Sequence, residues 1–263
     1  MVTQAGFLPH DVSLPAVRRF EAVGFRAWPA TSVVYDGSWQ VRLTGGHPSR
    51  RLNSVVPLDP GDVRDIDIRL EKARKRFEAY GRPLTVRETP LAPPHLIAAL
   101  REKGWSRIEE TVVLSADLTE MALPQGMDYL PTQDIGRFVD AYIVAEGAEQ
   151  SLKPALAEIL DGIRPATGLF VLEEPVKGPL ATVLCVQDND LAGILLLSVA
   201  AEERRKGLGT EILAAALRWA RLRGARTAWL QVGAANAAAL ALYRKLGFAE
   251  AYRYCYWREE RGA

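Results

Sequence analysis

The feature that most constrains this chain is a repeat in the spacing of its glycines. Gly81 and Gly104 recur as Gly224 and Gly247 at one offset of 143 residues. The aromatic residue after the second glycine keeps that offset, Trp105 against Phe248. So does a turn, Gly45-Gly46-His47 against Asp188-Asn189-Asp190. Asn53-Ser54-Val55-Val56 falls on Leu196-Leu197-Ser198-Val199. The correspondence runs without a gap over roughly 65 residues, longer than coincident turn placement explains. The 263 residues therefore read as one fold written twice, which suits a prior of about 150 residues per domain. We expect one unit over residues 1–120 and a second over 127–263. The linker falls in 117–126, where Pro124-Gln125-Gly126 interrupts all periodicity.

Each half has the same grammar. In the first, residues 14–23 read as a helix, and Asp36-Gly37 between 33–35 and 39–43 signals a hairpin. A strand follows over 51–56. Val63, Ile66, Leu70, Phe77 and Tyr80 recur at helical spacing, with Asp62 near the helix start. Strand 84–87, helix 94–102 and strand 108–114 complete the half. The second reads as strand 127–130, helices 133–146 and 152–163, and strands 168–173, 181–187 and 190–199. Helix 208–223, strand 227–232, helix 236–246 and strand 249–258 follow. Antiparallel strands followed by βαβα give an α+β fold, a mixed and mostly antiparallel sheet with flanking helices.

Composition excludes several functions. Lys and Arg number 33 against 32 Asp and Glu, a net charge of +1, so nothing draws the whole chain to nucleic acid or an acidic membrane. Cys185 and Cys255 lie in apolar runs and read as buried free thiols, without disulfide or zinc spacing. His10, His47 and His95 follow no ligand or triad pattern, so no metal is expected. The start of the chain has no basic segment followed by an apolar one, and the run from Leu191 to Ala201 is too short to span a bilayer. We expect a cytoplasmic protein, monomeric or homodimeric, with no membrane or nucleic-acid partner.

The chemistry concentrates in Arg204-Arg205-Lys206-Gly207-Leu208-Gly209-Thr210, after an apolar strand and at the opening of a helix. A Gly-rich turn there exposes backbone N–H groups in front of the positive end of the helix dipole, an anion cradle suited to phosphate. The segment is not a Walker loop, since Gly209-Thr210-Glu211 lacks the lysine. It is not a dinucleotide fingerprint, since Ile212 stands where a small residue is needed. On the next helix Asn236, Ala239 and Tyr243 share a face, and Leu246-Gly247-Phe248 ends it.

Arg204, Gly207, Gly209, Asn236, Ala239, Tyr243, Gly247 and Phe248 together resemble the GNAT superfamily of acyl-CoA-dependent N-acetyltransferases. The resemblance covers the core of 127–258, and the degenerate first half makes the whole similar to a tandem GNAT. It implies that the amides of Arg204, Arg205, Lys206, Gly207, Leu208, Gly209 and Thr210 hold the pyrophosphate of acetyl-CoA. It implies that Leu197, Ser198, Val199 and Ala201 flank the pantetheine arm, and that Asn236 and Ala239 contact the cofactor. Tyr243 would also touch it and act as the acid that protonates the leaving thiolate. A phenol with a pKa near ~10 suits that task.

The first copy lacks these residues. The loop maps onto Gly61-Asp62-Val63-Arg64-Asp65-Ile66, the two glycines become Arg64 and Ile66, and Asp62, Asp65 and Asp67 would repel a pyrophosphate. Asn236 maps onto Pro93 and Tyr243 onto Leu100. Only the second half is expected to bind acyl-CoA, with the first structural or shaping the acceptor site. Two departures from the family stand out. The strand Leu191–Val199 has no carboxylate to serve as a base. Glu202 and Glu203 read as solvated or capping residues; Glu146 and Glu149, near the end of the first helix of the second half where the family often binds acceptor, are the other acidic candidates, with surface charge the favoured reading. The chain also has a single terminal strand, so either the sheet ends there or the first half supplies its neighbour. An edge carrying Tyr252, Tyr254, Tyr256 and Trp257 should be covered, chiefly by packing, with part of one face open to an acceptor. Arg50-Arg51 could meet an anion. The leading reading is acetyl transfer from acetyl-CoA to an amine by direct attack. The alternative is a non-catalytic acyl-CoA sensor, and a nucleic-acid-binding loop is a distant third.

Overall fold

The structure, a computed structural model, describes residues 13–125 and 129–259. In the first half it contains α1 (Leu14–Ala27), β1 (Ser32–Asp36), β2 (Trp39–Leu43), β3 (Ser54–Pro57), α2 (Ile66–Ala79), β4 (Thr85–Glu88), α3 (Pro94–Glu102) and β5 (Trp105–Asp117). The second half contains α4 (Ile135–Glu146), α5 (Lys153–Asp161), β6 (Ala166–Glu174), β7 (Gly178–Asp188), β8 (Leu191–Val199), α6 (Leu208–Leu222), β9 (Thr227–Gly233), α7 (Ala237–Lys245) and β10 (Ala249–Glu259). The offset of 143 carries α3 onto α7 residue for residue. It also pairs positions of like backbone strain: Gly46 with Asn189, Gly81 with Gly224 and Gly104 with Gly247 all have positive φ.

The ten strands among the described residues form one sheet, in the order β1-β2-β3-β4-β10-β5-β9-β8-β7-β6. Exchanging each strand for its repeat reverses this order, so a pseudo-twofold axis passes between β10 and β5. β10 runs antiparallel between β4 and β5, and β5 runs antiparallel between β10 and β9. Each half thus lends its final strand to the other. The first half supplies a neighbour on both sides of the tyrosine-rich strand, and Tyr252, Tyr254, Tyr256 and Trp257 are all buried. A central position removes the exposed edge that such a strand would otherwise present.

Helices cover both faces. α6 and α7 bury Ile212, Leu213, Ala216, Leu217, Leu240 and Tyr243 against β5, β8 and β9. On the other face α4 and α5 join α1 in a cluster containing Trp28, Phe138, Leu156, Leu195 and Trp229. Gly193 lets the Trp229 ring lie on β8, because a Cβ there would stand 2.6 Å from a ring carbon.

The differences from expectation are local. α2 begins at Ile66 behind Asp65, and Asp62 does not start it. Asp62 is instead buried, accepting hydrogen bonds from Ser38 N and Oγ at 3.0 and 2.7 Å and pairing with Arg69 at 3.1 Å. Those bonds from Ser38 come first in holding its carboxyl below the usual carboxylate range. Residues 51–53 form a turn, so β3 is shorter than the strand expected over 51–56. Of the strand expected over 127–130, residues 127 and 128 lie outside those described, and 129–130 are not strand. Of the linker expected over 117–126, Asp117 still belongs to β5, and Leu118 and Met121 join the core under α6. Arg221 and Arg218 on α6 donate to the carbonyls of Met121 and Pro124 at 2.6 and 2.7 Å. Cys185 and Cys255 are free and buried. No helix among the described residues is long and apolar enough to cross a membrane.

Candidate functional site

The sheet opens where β8 leaves β9. β8 and β9 run parallel and pair from Leu191 with Thr227 to Ile194 with Leu230, and there the pairing stops. β8 goes on pairing with β7 as far as Val199, and β9 with β5 as far as Gly233. The facing edges of 195–199 and 231–233 therefore carry no ladder, and their backbone groups need other partners. A β-bulge makes the split. Thr182 opposes Ser198 and Leu184 opposes Leu195, so β8 has one extra residue. That residue is Leu196, with φ 49°, and its carbonyl accepts a hydrogen bond from Thr182 Oγ1 at 3.2 Å. In the first half β3 meets β4 at a single position, Val55 with Val86, the equivalents of Ser198 and Trp229.

The glycine loop follows directly. The strand ends at Val199, and Ala201 to Glu203 form a 3₁₀ turn, so Ala201 lies on the loop and not on the strand where the resemblance put it. Arg204 folds back to donate from Nε to the Val199 carbonyl at 3.0 Å. Arg205 and Gly207 both adopt positive φ, 64° and 91°, a curl that turns successive N–H groups to one side. Gly207 caps α6 without a side-chain hydrogen bond, which leaves the amides of the first turn, Leu208, Gly209 and Thr210 among them, to an outside acceptor. Gly209 sits under the strand end, and a Cβ there would reach 3.4 Å from Val199 Cγ2. Lys206 and Lys177 both pair with Glu203, at 3.1 and 3.4 Å, and the Lys206 bond leads in lowering that carboxyl's pKa. Glu203 is thus engaged with lysines and Lys206 is drawn off the cradle, while Arg204 and Arg205 remain exposed beside it.

α7 presents its motif to the same end of β8. Asn236 is exposed and caps the helix, its Oδ1 accepting from Ala239 N at 3.0 Å. Tyr243 is buried, edge-on to Phe248 with ring centroids 5.9 Å apart, in the cluster that also takes in Leu197, Val199, Leu208 and Ala239. Burial pushes its phenol up to about 12, so it is protonated throughout the physiological range. On the opposite face Glu146, at the end of α4, accepts a hydrogen bond from Ser198 Oγ at 2.7 Å. A carboxylate thus reaches the strand that carries none of its own. Tyr142, one turn earlier, is pushed up to about 12 by burial and by the Glu146 charge, with Arg51 opposing. Glu149 is a surface residue that accepts from Ser151 at 3.1 Å.

Residues 15–257 match the family model described as probable histone acetyltransferase Rv0428c C-terminal. The chain belongs to this family, within the GNAT superfamily. An uncharacterized N-acetyltransferase of Bacillus subtilis, YobR, is 26% identical over 244 residues, covering 88% of this chain and 94% of that one. A GCN5-related N-acetyltransferase from Kribbella flavida shares the fold, with TM-score 0.69 and 20% identity over 97% of this chain and 98% of that one. A tandem GNAT protein from the clavulanic acid biosynthesis pathway does so with TM-score 0.64 and 16% identity, over 92% and 88%. The α+β architecture and the acetyltransferase class follow, and acetyl-CoA is the acyl donor that GNAT enzymes use.

In this GNAT chain the sequence brought out the loop, Asn236, Ala239 and Tyr243, and the structure gathers them around the end of β8. Three features were not read from the sequence. The bond from Ser198 to Glu146 joins residues 52 positions apart and has no sequence signal. The bulge could be suspected only from a break in alternation. The third is a cleft between α1 and the curled sheet, walled by residues as distant as Arg42 on β2 and Leu195 on β8.

Proposed function

We propose that the C-terminal half binds acetyl-CoA and transfers its acetyl group to an amine by direct attack. The observation that carries this reading is the conjunction of an uncapped, glycine-curled helix start with an unpaired wedge on the strand just before it. The amides of the Arg204–Thr210 loop would hold the pyrophosphate, with Arg204 and Arg205 adding charge. The open edge of Leu197, Ser198 and Val199 would hydrogen-bond the amides of the pantetheine arm, and Asn236 and Ala239 would border it. The bound thioester supplies an activated acyl carbon. Glu146, steadied by Ser198, accepts the proton that the acceptor nitrogen loses as the C–N bond forms. Tyr243 gives its proton to the sulfur as the C–S bond breaks. The first half has Asp62 where the loop has Arg205, and Arg64 and Ile66 where it has Gly207 and Gly209, and we assign it no acyl-CoA site.

Glu146 favours turnover over the sensor reading, because the absent strand carboxylate was the main support for a sensor. The family's description names a probable histone acetyltransferase. That makes a lysine side chain one candidate acceptor here.

Gly207→Glu is the direct test. A Cβ at Gly207 meets nothing within 4 Å, so the fold should survive, while φ 91° strains any other residue and the carboxylate faces the anion. Calorimetry should show acetyl-CoA affinity lowered by about 100-fold or more with the circular dichroism unchanged. Unaltered affinity would remove the loop from the site.

A further inference from the structure

The two ends of the sheet differ. At one end β6 is covered: Thr132 donates its backbone N–H to the Leu169 carbonyl at 2.8 Å, and Arg137 pairs with Glu173. At the other end β1 pairs with β2 alone. Among the described residues no backbone group of residues 32–35 bonds outside that ladder. An antiparallel edge strand turns alternate N–H and C=O groups outward, where another strand can take them. The usual blocks to such pairing are missing from β1. Its sequence, Ser32-Val33-Val34-Tyr35-Asp36, has no proline, lysine or bulge, and Val33 and Tyr35 are 41% and 63% exposed.

A groove runs beside this edge, between β1 and α2, with about 550 Å³ of space. Val34, Trp39, Val41 and Ala73 give it an apolar floor. Lys72, Lys75 and Arg76 of α2 form the far wall. The charge there is one-sided. Arg69 lies over the Trp39 ring and is taken up by Asp62 at 3.1 Å and Asp36 at 3.5 Å. Asp36, the one carboxylate lining the groove among the described residues, is also shared with Lys72 at 3.8 Å. Lys75 and Arg76 are exposed and, among the described residues, have no ion pair or hydrogen bond. The second copy of the fold fills the same space. The offset of 143 carries Arg76 onto Trp219, whose ring stands edge-on to Phe170 of β6 with centroids 6.1 Å apart. The first half has an arginine in place of that ring, and the space between helix and edge strand stays open.

We propose that β1 and α2 form a docking groove for an extended acidic segment of a partner protein, which adds to the sheet as a further strand on β1. Main-chain bonds to β1 hold the segment, and its alternate side chains face the groove. An apolar residue there covers Trp39 and Val41, and carboxylates two positions to either side reach Lys75 and Arg76. The side chains of the other face lie along Val33 and Tyr35. Charge decides against a second copy of this chain as the occupant. Two β1 strands paired antiparallel about a twofold axis would set two basic α2 helices along one groove, like charge facing like. Five strands separate β1 from β9, so a partner held here leaves the proposed acyl-CoA site open.

The test uses the full chain and two fluorescein-labelled synthetic heptapeptides, followed by anisotropy. One carries threonine and valine in alternation on one face and glutamate, leucine and glutamate on the other; its match has lysines for the glutamates. The acidic peptide should bind with a Kd below about 100 μM, and the lysine peptide at least about tenfold more weakly. Hydrogen exchange should slow in residues 32–36 when the acidic peptide is bound. Lys75→Glu combined with Arg76→Glu changes two exposed residues. It should weaken the acidic peptide by about tenfold, strengthen the lysine one, and leave acetyl-CoA affinity within about threefold. Binding weaker than about 1 mM, equal affinity for the two peptides, unaltered affinity in the double variant, or slowed exchange away from β1 would overturn the inference. So would a dimer in light scattering that Val33→Lys with Tyr35→Lys returns to a monomer, because a second copy would then hold the edge.

Discussion

Tyr243 shows how one residue takes its chemistry from its surroundings. The same burial that packs it against Phe248 raises its phenol to about 12 and keeps the proton it is proposed to donate. The sign follows: as an acid it is active while protonated, so its loss of function comes only as pH rises toward about 12. Tyr243→Phe should lower kcat by about 10- to 1,000-fold with acetyl-CoA affinity little changed. Unchanged turnover would remove the acid role. Glu146→Gln should lower kcat/KM without lowering acetyl-CoA affinity, since Gln can still accept from Ser198 but takes no proton. If kcat/KM is unaffected, Glu146 is only a partner for Ser198. Tyr243 was legible because its spacing from Asn236 and Gly247 is local. Glu146 was only one of two acidic candidates, outweighed by the surface-charge reading, because what distinguishes it is a contact across the fold.

At the level of elements, helices and strands were readable almost throughout, since period and turn chemistry are local. α3, α7 and the Asp36-Gly37 hairpin lie where spacing puts them. Asp62, expected near the helix start, lies just ahead of α2, where Ser38 and Arg69 hold it in contacts that no local pattern shows. The wedge depends on the Leu196 bulge, and Thr182 holds it by one partly buried hydrogen bond. Thr182→Val removes that bond at similar volume and should cost about 1 kcal/mol, lowering Tm by roughly 2–4 °C. The bulge sets the open edge, so acetyl-CoA affinity should fall as well. A Tm loss with full affinity would mean that the split does not depend on Thr182.

For the whole molecule, the repeat gave the count of folds, but sequence spacing could not show that they exchange strands. Pairing of β10 with β4 and of β5 with β9 joins residues far apart in the chain, and no local pattern encodes it. Residues 1–125 and 129–263 made separately should each be poorly soluble, and co-expression should restore a folded complex. Independent folding of either piece would show that the exchange is dispensable.

The central claim is one fold written twice with a single acyl-CoA site, in the second copy. The measurement that bears on it most directly is the stoichiometry of acetyl-CoA binding to the full chain by calorimetry. The account predicts one site per chain, lost in Gly207→Glu. Two sites per chain, or one that survives Gly207→Glu, would contradict it.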